Sequence, residues 1–236
     1  MRIVINHLTR MQPGLMCAAG IDPLTGLHVR PVMGRPLPVE LLERNGGPFA
    51  LGRMLDLGET TFVGRMPEIE DRTFVASGVS VVEEWATERW LGLCSAVSGK
   101  RLVDIFGEAL KPVESRFGGP ATAAVPEKSG LHSLGCYWAA DARLILVQRC
   151  KKKSVRLEFS EMGIRYSVAV TDYRLWNEDH LTPNEPEFAR MAGLVNKTNN
   201  PVLLSVGLSR AHRFTDDEPP RHWLQVNNIH VVPGSC

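Results

Sequence analysis

The sequence lacks the features that would place the chain in a membrane or join it covalently. No apolar run reaches the 18 residues that a transmembrane helix needs, and residues 1–7 are too polar and too short for a signal peptide. The five cysteines are odd in number and include no C-x-x-C pair, which argues against a disulfide framework and a zinc knuckle. We therefore expect a cytoplasmic protein with no membrane partner.

Motifs for bound cofactors and metals are also missing. The glycines fit neither the G-x-x-x-x-G-K-[ST] phosphate loop nor a G-x-G-x-x-G turn after a strand. The seven histidines show no H-x-x-x-H or H-E-x-x-H spacing. His222 and His230 share one side of a predicted strand, but eight residues of strand separate them by about 27 Å. We expect no cofactor and no metal.

One group of side chains invites a comparison with nucleophilic catalysis, since adjacent opening strands would bring a cysteine near histidines. No strand–turn–helix elbow and no acid that would orient a histidine accompany this group, so we do not expect it to be catalytic. Its members are His7, Arg10, Cys17, His28 and Arg30.

The charge of the chain is nearly balanced. Its 27 basic and 26 acidic residues leave a net charge of +1, and residues 1–118 hold 13 basic and 14 acidic ones. Residues 143–174 are the exception, with eight Lys or Arg against three Asp or Glu. Nucleic-acid binders usually show a basic patch or stripe, so any such role here depends on a local surface.

What is present is a pattern of short strands. Val155, Leu157 and Phe159 alternate with polar residues, as do Tyr166, Val168 and Val170, which is typical of half-buried antiparallel strands. Apolar residues at helical spacing predict two short helices within 79–110, and the Gly/Pro-rich residues 115–130 predict a loop. Each half offers about five strands, enough for a small closed barrel. The chain is thus predicted to be mainly β, with boundaries at 1–114 and 115–236.

Two C-terminal segments, PVLLSVGLSR at 201–210 and HWLQVNNIH at 222–230, resemble the closing signature of the dual OB domain proteins of bacterial defence systems. The CAAGID segment near the start, Val29-Arg30-Pro31 and Val170-Thr171-Asp172 match that family more loosely. This resemblance implies two OB-like barrels joined by a short helical segment, and a role in binding or sensing nucleic acid. Ala211-His212 departs from the proline that follows the arginine in the family.

A basic hairpin is the first candidate contact for nucleic acid. Lys151, Lys152 and Lys153 lie between two predicted strands, and Arg156 follows on the second. Such a loop can neutralise phosphates and release their counterions. The alternative is a solvated turn that keeps a sheet edge from pairing.

The second candidate surface surrounds the loop 211–222. Arg210 and His222 flank it, Trp223 could stack on a base, and Gln225 and Asn227 share the face of Trp223. The alternative places Trp223 in a core and leaves the amides to be satisfied by other hydrogen bonds. Arg10 and Arg30 from the opening strands complete the predicted contact set.

The hypothesis favoured by these patterns is a non-catalytic nucleic-acid-binding module. An interaction subunit that docks a partner protein is the alternative, and the near-zero net charge favours it. An enzyme acting on nucleotides ranks third because no catalytic set is visible.

Overall fold

The computed structural model describes residues 1–115, 118–149, 152–197, 201–213 and 216–231. Two eight-stranded sheets and three α-helices account for most of the regular backbone in these residues. The predicted mainly β fold with a few short helices is therefore confirmed. One sheet closes into a five-stranded barrel and the other curls into half a barrel, which agrees with two OB-like units.

The first sheet has the strand order β6-β7-β3-β2-β1-β5-β8, with β4 paired to β2. The strands are β1 (Arg2–Arg10), β2 (Leu15–Ile21), β3 (His28–Val32), β4 (Leu37–Pro38), β5 (Arg53–Asp56), β6 (Thr61–Phe62), β7 (Asp71–Thr73) and β8 (Ser80–Glu84). Because β6 and β8 do not pair with each other in the described residues, this sheet stays open at both edges.

The connection between the sheets is helical, as predicted, but it starts later. Helices α1 (Thr87–Ala96) and α2 (Leu102–Phe106) are separated by the short strand β9 (Ser98–Gly99). The predicted helix was wrong for residues 80–84, because this segment forms strand β8, which pairs antiparallel with β5. Its β-branched Val81 and Val82 suit a strand.

The second sheet contains a closed barrel of five strands. Strand β10 (Lys111–Val113) and β11 (Thr122–Pro126) precede it, and the barrel comprises β12 (Leu134–Arg149), β13 (Lys152–Glu161), β14 (Ile164–Val170), β15 (Val202–Leu208) and β16 (Arg221–His230). The order β12-β13-β14-β16-β15 returns to β12 through the β12–β15 pairing. Helix α3 (Glu185–Val195) connects β14 to β15, and β14 and β16 run parallel. This is the Greek-key arrangement of an OB barrel.

Strand β12 closes the barrel because it bends. Its residues 134–139 pair with β15 and its residues 140–149 pair with β13. The register shifts between Ala140 and Arg143, and Asp141 has a φ of +50°. A bulge of this kind lets one strand serve two directions of a curved sheet.

The local sequence pattern accounts for the β13–β14 hairpin, but it did not predict strand β11. Met162 and Gly163 form a two-residue turn with φ values of +49° and +78°, which suits the right-handed twist of the hairpin. Residues 122–126, predicted to lie in a loop, form β11 beside β16. Strands β14 and β16 pair with each other only at residues 169–170 and 225–226. Ala121, just before β11, pairs with Tyr166 of β14, and β11 itself pairs with β16, so this segment covers the strand edges that the barrel leaves open.

The core is divided among three apolar clusters. The largest fills the barrel and includes Leu157, Phe159 and Val168, each at most 1% exposed. A second lies beneath the first sheet around Ile3 and Phe49. A third joins both sheets to α1 and contains Trp90, Cys94, Cys136 and Leu203 among others. The two halves therefore share apolar contacts as well as a linker.

Candidate functional site

Many of the predicted contact residues lie where the two halves meet. Strand β1 runs against β16, and the Arg10 N–H donates to the Thr171 carbonyl at 2.9 Å, which joins the first half to the second. The predicted residues at or beside this contact are Arg10, Arg30, Arg210, His222 and Asn227.

Asp71 is the centre of an ion cluster at this contact. Its carboxylate lies 2.5 Å from Arg30 Nε and 2.6 Å from Arg210 Nη2. Glu68 adds a 3.2 Å ion pair with Arg210 Nη1 and lies 3.5 Å from His222 Nδ1. Because Arg210 and His222 come from the second half, the cluster links the halves. Two carboxylates here offset the charge of the two arginines.

Arg10 makes a separate link between the halves. Its guanidinium carbon lies 3.5 Å from the ring centroid of Trp176, a cation–π distance. The same guanidinium donates to the backbone carbonyl of His180, and His180 Nδ1 lies 3.1 Å from the Gln12 carbonyl. The structure thus places Arg10 against the segment that follows β14.

Two β-bulges face each other across the interface. The register between β1 and β2 shifts between Ile5 and His7, so Asn6 is an extra residue. The register between β15 and β16 skips Asn227. In each strand two consecutive polar side chains, Asn6–His7 and Asn227–Asn228, are therefore turned out of their own sheet, as bulges can do. All four are at most 4% exposed.

The amides of β16 bind the backbone and side chains of β1. Asn228 Oδ1 accepts from the Leu8 N–H at 2.7 Å, and Asn228 Nδ2 donates to the Leu8 carbonyl at 3.2 Å. Asn227 Nδ2 lies 3.0 Å from His7 Nδ1, and Thr171 Oγ1 donates to Asn227 Oδ1 at 3.4 Å. The polar partners of these amides are therefore inside the protein.

Trp223 and Gln225 occupy the same strand outside the bulge. Trp223 is 9% exposed, and its Nε1 donates to the His212 carbonyl at 3.3 Å. Its ring lies 6.2 Å from that of His212, so it braces the start of the loop that precedes β16. Gln225 is half-buried and pairs with Ala169 and Gly207 through the backbone.

The basic hairpin is the predicted group that stays at the surface. Lys151 lies outside the described residues, whereas Lys152 and Lys153 are exposed on β13. Lys153 forms an ion pair with Glu185 at the start of α3. Arg156 is half-buried, and its Nε donates to Ser167 Oγ at 2.9 Å.

Two arginines that the sequence analysis did not select extend this surface. Arg143 lies opposite Glu158 in the β12–β13 pairing, and Arg165 on β14 forms a 2.8 Å ion pair with Glu158. Arg143 and Lys152 are exposed and form no ion pair with any residue in the described ranges. The signal that could have revealed Arg143 and Arg165 is their alternation with buried apolar residues of β12 and β14. We call the outward side chains Arg143, Lys152, Ser154, Arg156, Glu158, Arg165 and Ser167 the β12–β14 face.

A second cluster, of histidines and a cysteine, lies at the bulge of β1. His7 and His28 stack edge to face with centroids 5.3 Å apart. The thiol beside them is that of Cys136 and not that of Cys17: Cys136 Sγ lies 3.8 Å from His28 Nε2 and 3.3 Å from Asn6 Nδ2. The polar pair Asn6–His7, which interrupts an apolar strand, was the available signal for this site. Within the described ranges no three His, Cys, Asp or Glu residues are grouped as metal ligands.

Hydrogen bonds fix the proton positions around Ser205 in this cluster. The Ser205 hydroxyl donates to the Asn6 carbonyl at 2.8 Å, so its oxygen accepts the proton on His230 Nε2, also at 2.8 Å. Burial and the nearby Arg174 lower the pKa of His230 to about 3. Burial, with the neighbouring His28 and His230, lowers the pKa of His7 as well. Both rings are therefore neutral at neutral pH.

A cleft of about 430 Å³ opens beside this cluster. Its walls come from the first half, the helical connection and the second half, and include His28, Ile69, Val97, Ile105 and Gly135. His28 thus faces the cleft with one side and Cys136 with the other, so it separates the buried cluster from solvent.

Neither a family model nor a curated protein matches this chain. None of the helices in the described ranges is long and apolar enough to cross a membrane.

Proposed function

We propose that the chain is a non-catalytic nucleic-acid-binding module, and that the β12–β14 face of its closed barrel holds the phosphates of a single strand. The observation that carries the proposal is the set of four cationic side chains on one face, Arg143, Lys152, Arg156 and Arg165, against the single acid Glu158. OB barrels bind oligonucleotides with the face of their second and third strands and the adjoining loops.

The residues that would contact the ligand on the β12–β14 face differ in part from those predicted from the sequence. Arg10, Arg30, Arg210 and His222 are engaged between the halves, so they support the barrel and do not supply free positive charge. Lys152 and Lys153 begin β13 directly after the connection between the first and second barrel strands, one of the two loops that OB barrels use.

The experiment is a salt-dependent titration by fluorescence anisotropy with labelled single-stranded DNA and RNA of equal length. With roughly four phosphates neutralised, log affinity should fall against log salt with a slope of about −3. The variant R143E/K152E should weaken binding at least tenfold. The control R35E/K100E makes the same change in net charge at exposed positions elsewhere. No binding at 50 mM salt, or equal losses in both variants, would overturn the proposal.

A partner protein is the second candidate, and the open edge of the first sheet favours it. All five residues of β8 are exposed, including Val81 at 47% and Val82 at 41%. An exposed edge strand can pair with an extended segment of another chain. In this case V82K should abolish complex formation with a purified partner while oligonucleotide binding, if any, is unchanged.

The cellular setting follows from the resemblance alone. A role in bacterial defence, with nucleic acid as the sensed ligand, is part of this proposal. Loss of protection against phage in cells carrying R143E/K152E, with R35E/K100E still protective, would support it.

A further inference from the structure

The cleft between the halves has the size and the walls of a small-molecule site. Its volume is about 430 Å³, and pockets that hold small ligands have volumes of roughly 300–1,000 Å³. Leu27, Ile69, Val97 and Ile105 give it apolar walls from several different segments of the chain. Small-molecule sites combine such walls with a few polar groups that fix the orientation of the ligand. The polar groups of this cleft therefore indicate which ligand it fits.

Arg72 is the cationic group of the cleft. It follows Asp71 on β7, and because strand side chains alternate, the two side chains lie on opposite faces. Asp71 faces the ion cluster at the contact of the halves, whereas Arg72 lines the cleft and is half-buried. Arg72 forms no ion pair and no side-chain hydrogen bond with any residue that the structure describes. Its guanidinium is thus available to an anionic group such as a phosphate.

His28 and Asp22 supply a donor and an acceptor to the same cleft. An amide nitrogen only donates, so the 3.4 Å contact with Asn6 Nδ2 makes His28 Nε2 the acceptor. The proton of the neutral ring is then on Nδ1, which has no hydrogen-bond partner within the described ranges. Asp22 Oδ1 accepts from the Leu24 N–H at 2.9 Å, whereas Oδ2 has no such partner among the described residues. A nucleobase edge presents both acceptors and donors.

The other two carboxylates of the cleft are engaged by the protein. Glu70 accepts from the N–H of Ser133 at 2.8 Å and from its hydroxyl at 2.7 Å. Asp104 forms a 2.6 Å ion pair with Arg101. The charges left for a ligand are therefore a guanidinium and one carboxylate oxygen, which suit a molecule with an anionic group and N–H donors.

An exposed ring beside Arg72 favours an aromatic ligand. Phe62 of β6 is 55% exposed, and Arg72 Cζ lies 5.7 Å from its ring centroid. Aromatic side chains of this kind stack on bases in proteins that bind single strands. An aliphatic amino acid would also match the opposite charges, but it has no flat face to place on Phe62.

We propose that the cleft binds a nucleoside monophosphate, with its phosphate on Arg72, its base against Phe62 and the polar edge of the base toward His28 and Asp22. The choice of a nucleotide among aromatic anions rests on the proposed function, but the cleft shares no residue with the β12–β14 face. The same chemical group occurs in a free nucleotide and at the 5′-phosphorylated end of a strand.

Isothermal titration calorimetry of the full chain tests the ligand class with AMP, adenosine, inorganic phosphate and leucine. AMP should bind with a Kd below about 1 mM. Adenosine should bind roughly tenfold more weakly or worse, because it offers no anion to the guanidinium. Absence of AMP binding would overturn the proposal. Phosphate or leucine binding as tightly as AMP would do the same, since neither contains a base.

Two variants with matched controls test the residues. R72Q should bind AMP no better than adenosine, whereas R35Q, which removes the same charge at an exposed position, should bind like the parent. F62A should weaken AMP binding by roughly fivefold or more, whereas L181A truncates another exposed apolar residue and should have no effect. Circular dichroism verifies that each variant is folded. Equal affinities in R72Q and R35Q would overturn the assignment.

The variant R143E/K152E separates the cleft from the β12–β14 face. It should bind AMP like the parent, and a loss as large as that of R72Q would show that the nucleotide binds the barrel face instead. AMP binding that depends on Arg72, in a protein that binds no oligonucleotide, would support the cleft site and overturn only the proposed function.

Competition distinguishes the two sources of the nucleotide. A 5′-phosphorylated oligonucleotide should displace AMP if the cleft takes strand ends, while the 5′-hydroxyl form of the same strand should not. Displacement by neither assigns the cleft to free nucleotides. Equal displacement by both forms would overturn the role of the terminal phosphate on Arg72.

Discussion

The two sheets differ in how their edge strands are paired and covered. The barrel of the second half pairs β15 with β12 and buries its apolar faces inside itself. In the first sheet β6 and β8 remain edge strands, and the outer side of β1 packs against β16. A closed barrel needs no further cover, whereas an open sheet must obtain cover from a neighbour.

The difference explains why the contact between β1 and β16 is polar, although the halves also share an apolar cluster beside α1. The barrel interior takes the apolar residues of β16, such as Leu224, Val226 and Ile229. The outward residues of the same strand, Asn227 and Asn228, are then available for the first half. A polar interface of this kind specifies one docking arrangement, because each buried amide must find its partners.

Hydrogen exchange should show the largest contrast between the sheets. The central barrel strands β13 and β15 should exchange through global unfolding, while β8 exchanges through local fraying at little cost in free energy. For a stability of about 5 kcal/mol the protection should differ by roughly 10³-fold or more. Equal protection of β8 and β15 would contradict the contrast between a closed and an open sheet.

Breaking the ion cluster should destabilise the whole chain. D71N leaves Arg30 buried without its charge partner, and loss of one partner of a buried pair costs about 3–5 kcal/mol. Urea unfolding measures this loss. The matched control D104N removes an exposed partner of Arg101 and should leave the midpoint nearly unchanged. Equal losses of unfolding free energy in D71N and D104N would show that the buried cluster stabilises the chain no more than an exposed ion pair does.

Removing one amide should weaken the docking of β1 on β16. N228A leaves the N–H and the carbonyl of Leu8 buried without a partner, so the free energy of unfolding should fall by about 2–4 kcal/mol. The control Q225A changes a half-buried amide on the same strand and should cost much less. An N228A protein as stable as Q225A would show that the amide is dispensable.

Acid should destabilise the interface before the barrel core. The folded-state pKa of His230, about 3, and that of His7 lie below the unfolded value near 6.5, so the unfolded chain binds more protons between these values. Their contribution to stability is therefore complete above pH 6.5 and is lost as the pH falls, at about 1.4 kcal/mol per pH unit for each ring.

Unfolding free energies measured between pH 6.5 and 4.5 check this slope. H230Q should reduce the slope, because the buried ring of His230 no longer titrates. A slope of zero in the parent protein would contradict the neutral state of the buried rings.

Some elements could be predicted from the sequence because their causes are local. The alternation around Val155 and around Tyr166 predicted the two strands of the β13–β14 hairpin, since this signal depends on neighbours in sequence. Residues 80–84 and 122–126 were assigned incorrectly because pairing with a distant strand decided their conformation. Arg143 was missed because its alternation with buried Leu144 indicates only which side of β12 it occupies, whereas the barrel register brings it to the face of Lys152 and Arg156.

The sequence alone determined that the chain is mainly β, where its strongest strands lie and which polar residues are unusual for a core. The tertiary structure decided what those residues do. Alternation reports which side of a strand is buried, but it carries no information on what covers the other side. The partners of Arg30, Asn227 and Cys136 come from distant segments, so only the folded arrangement of the two sheets could identify them.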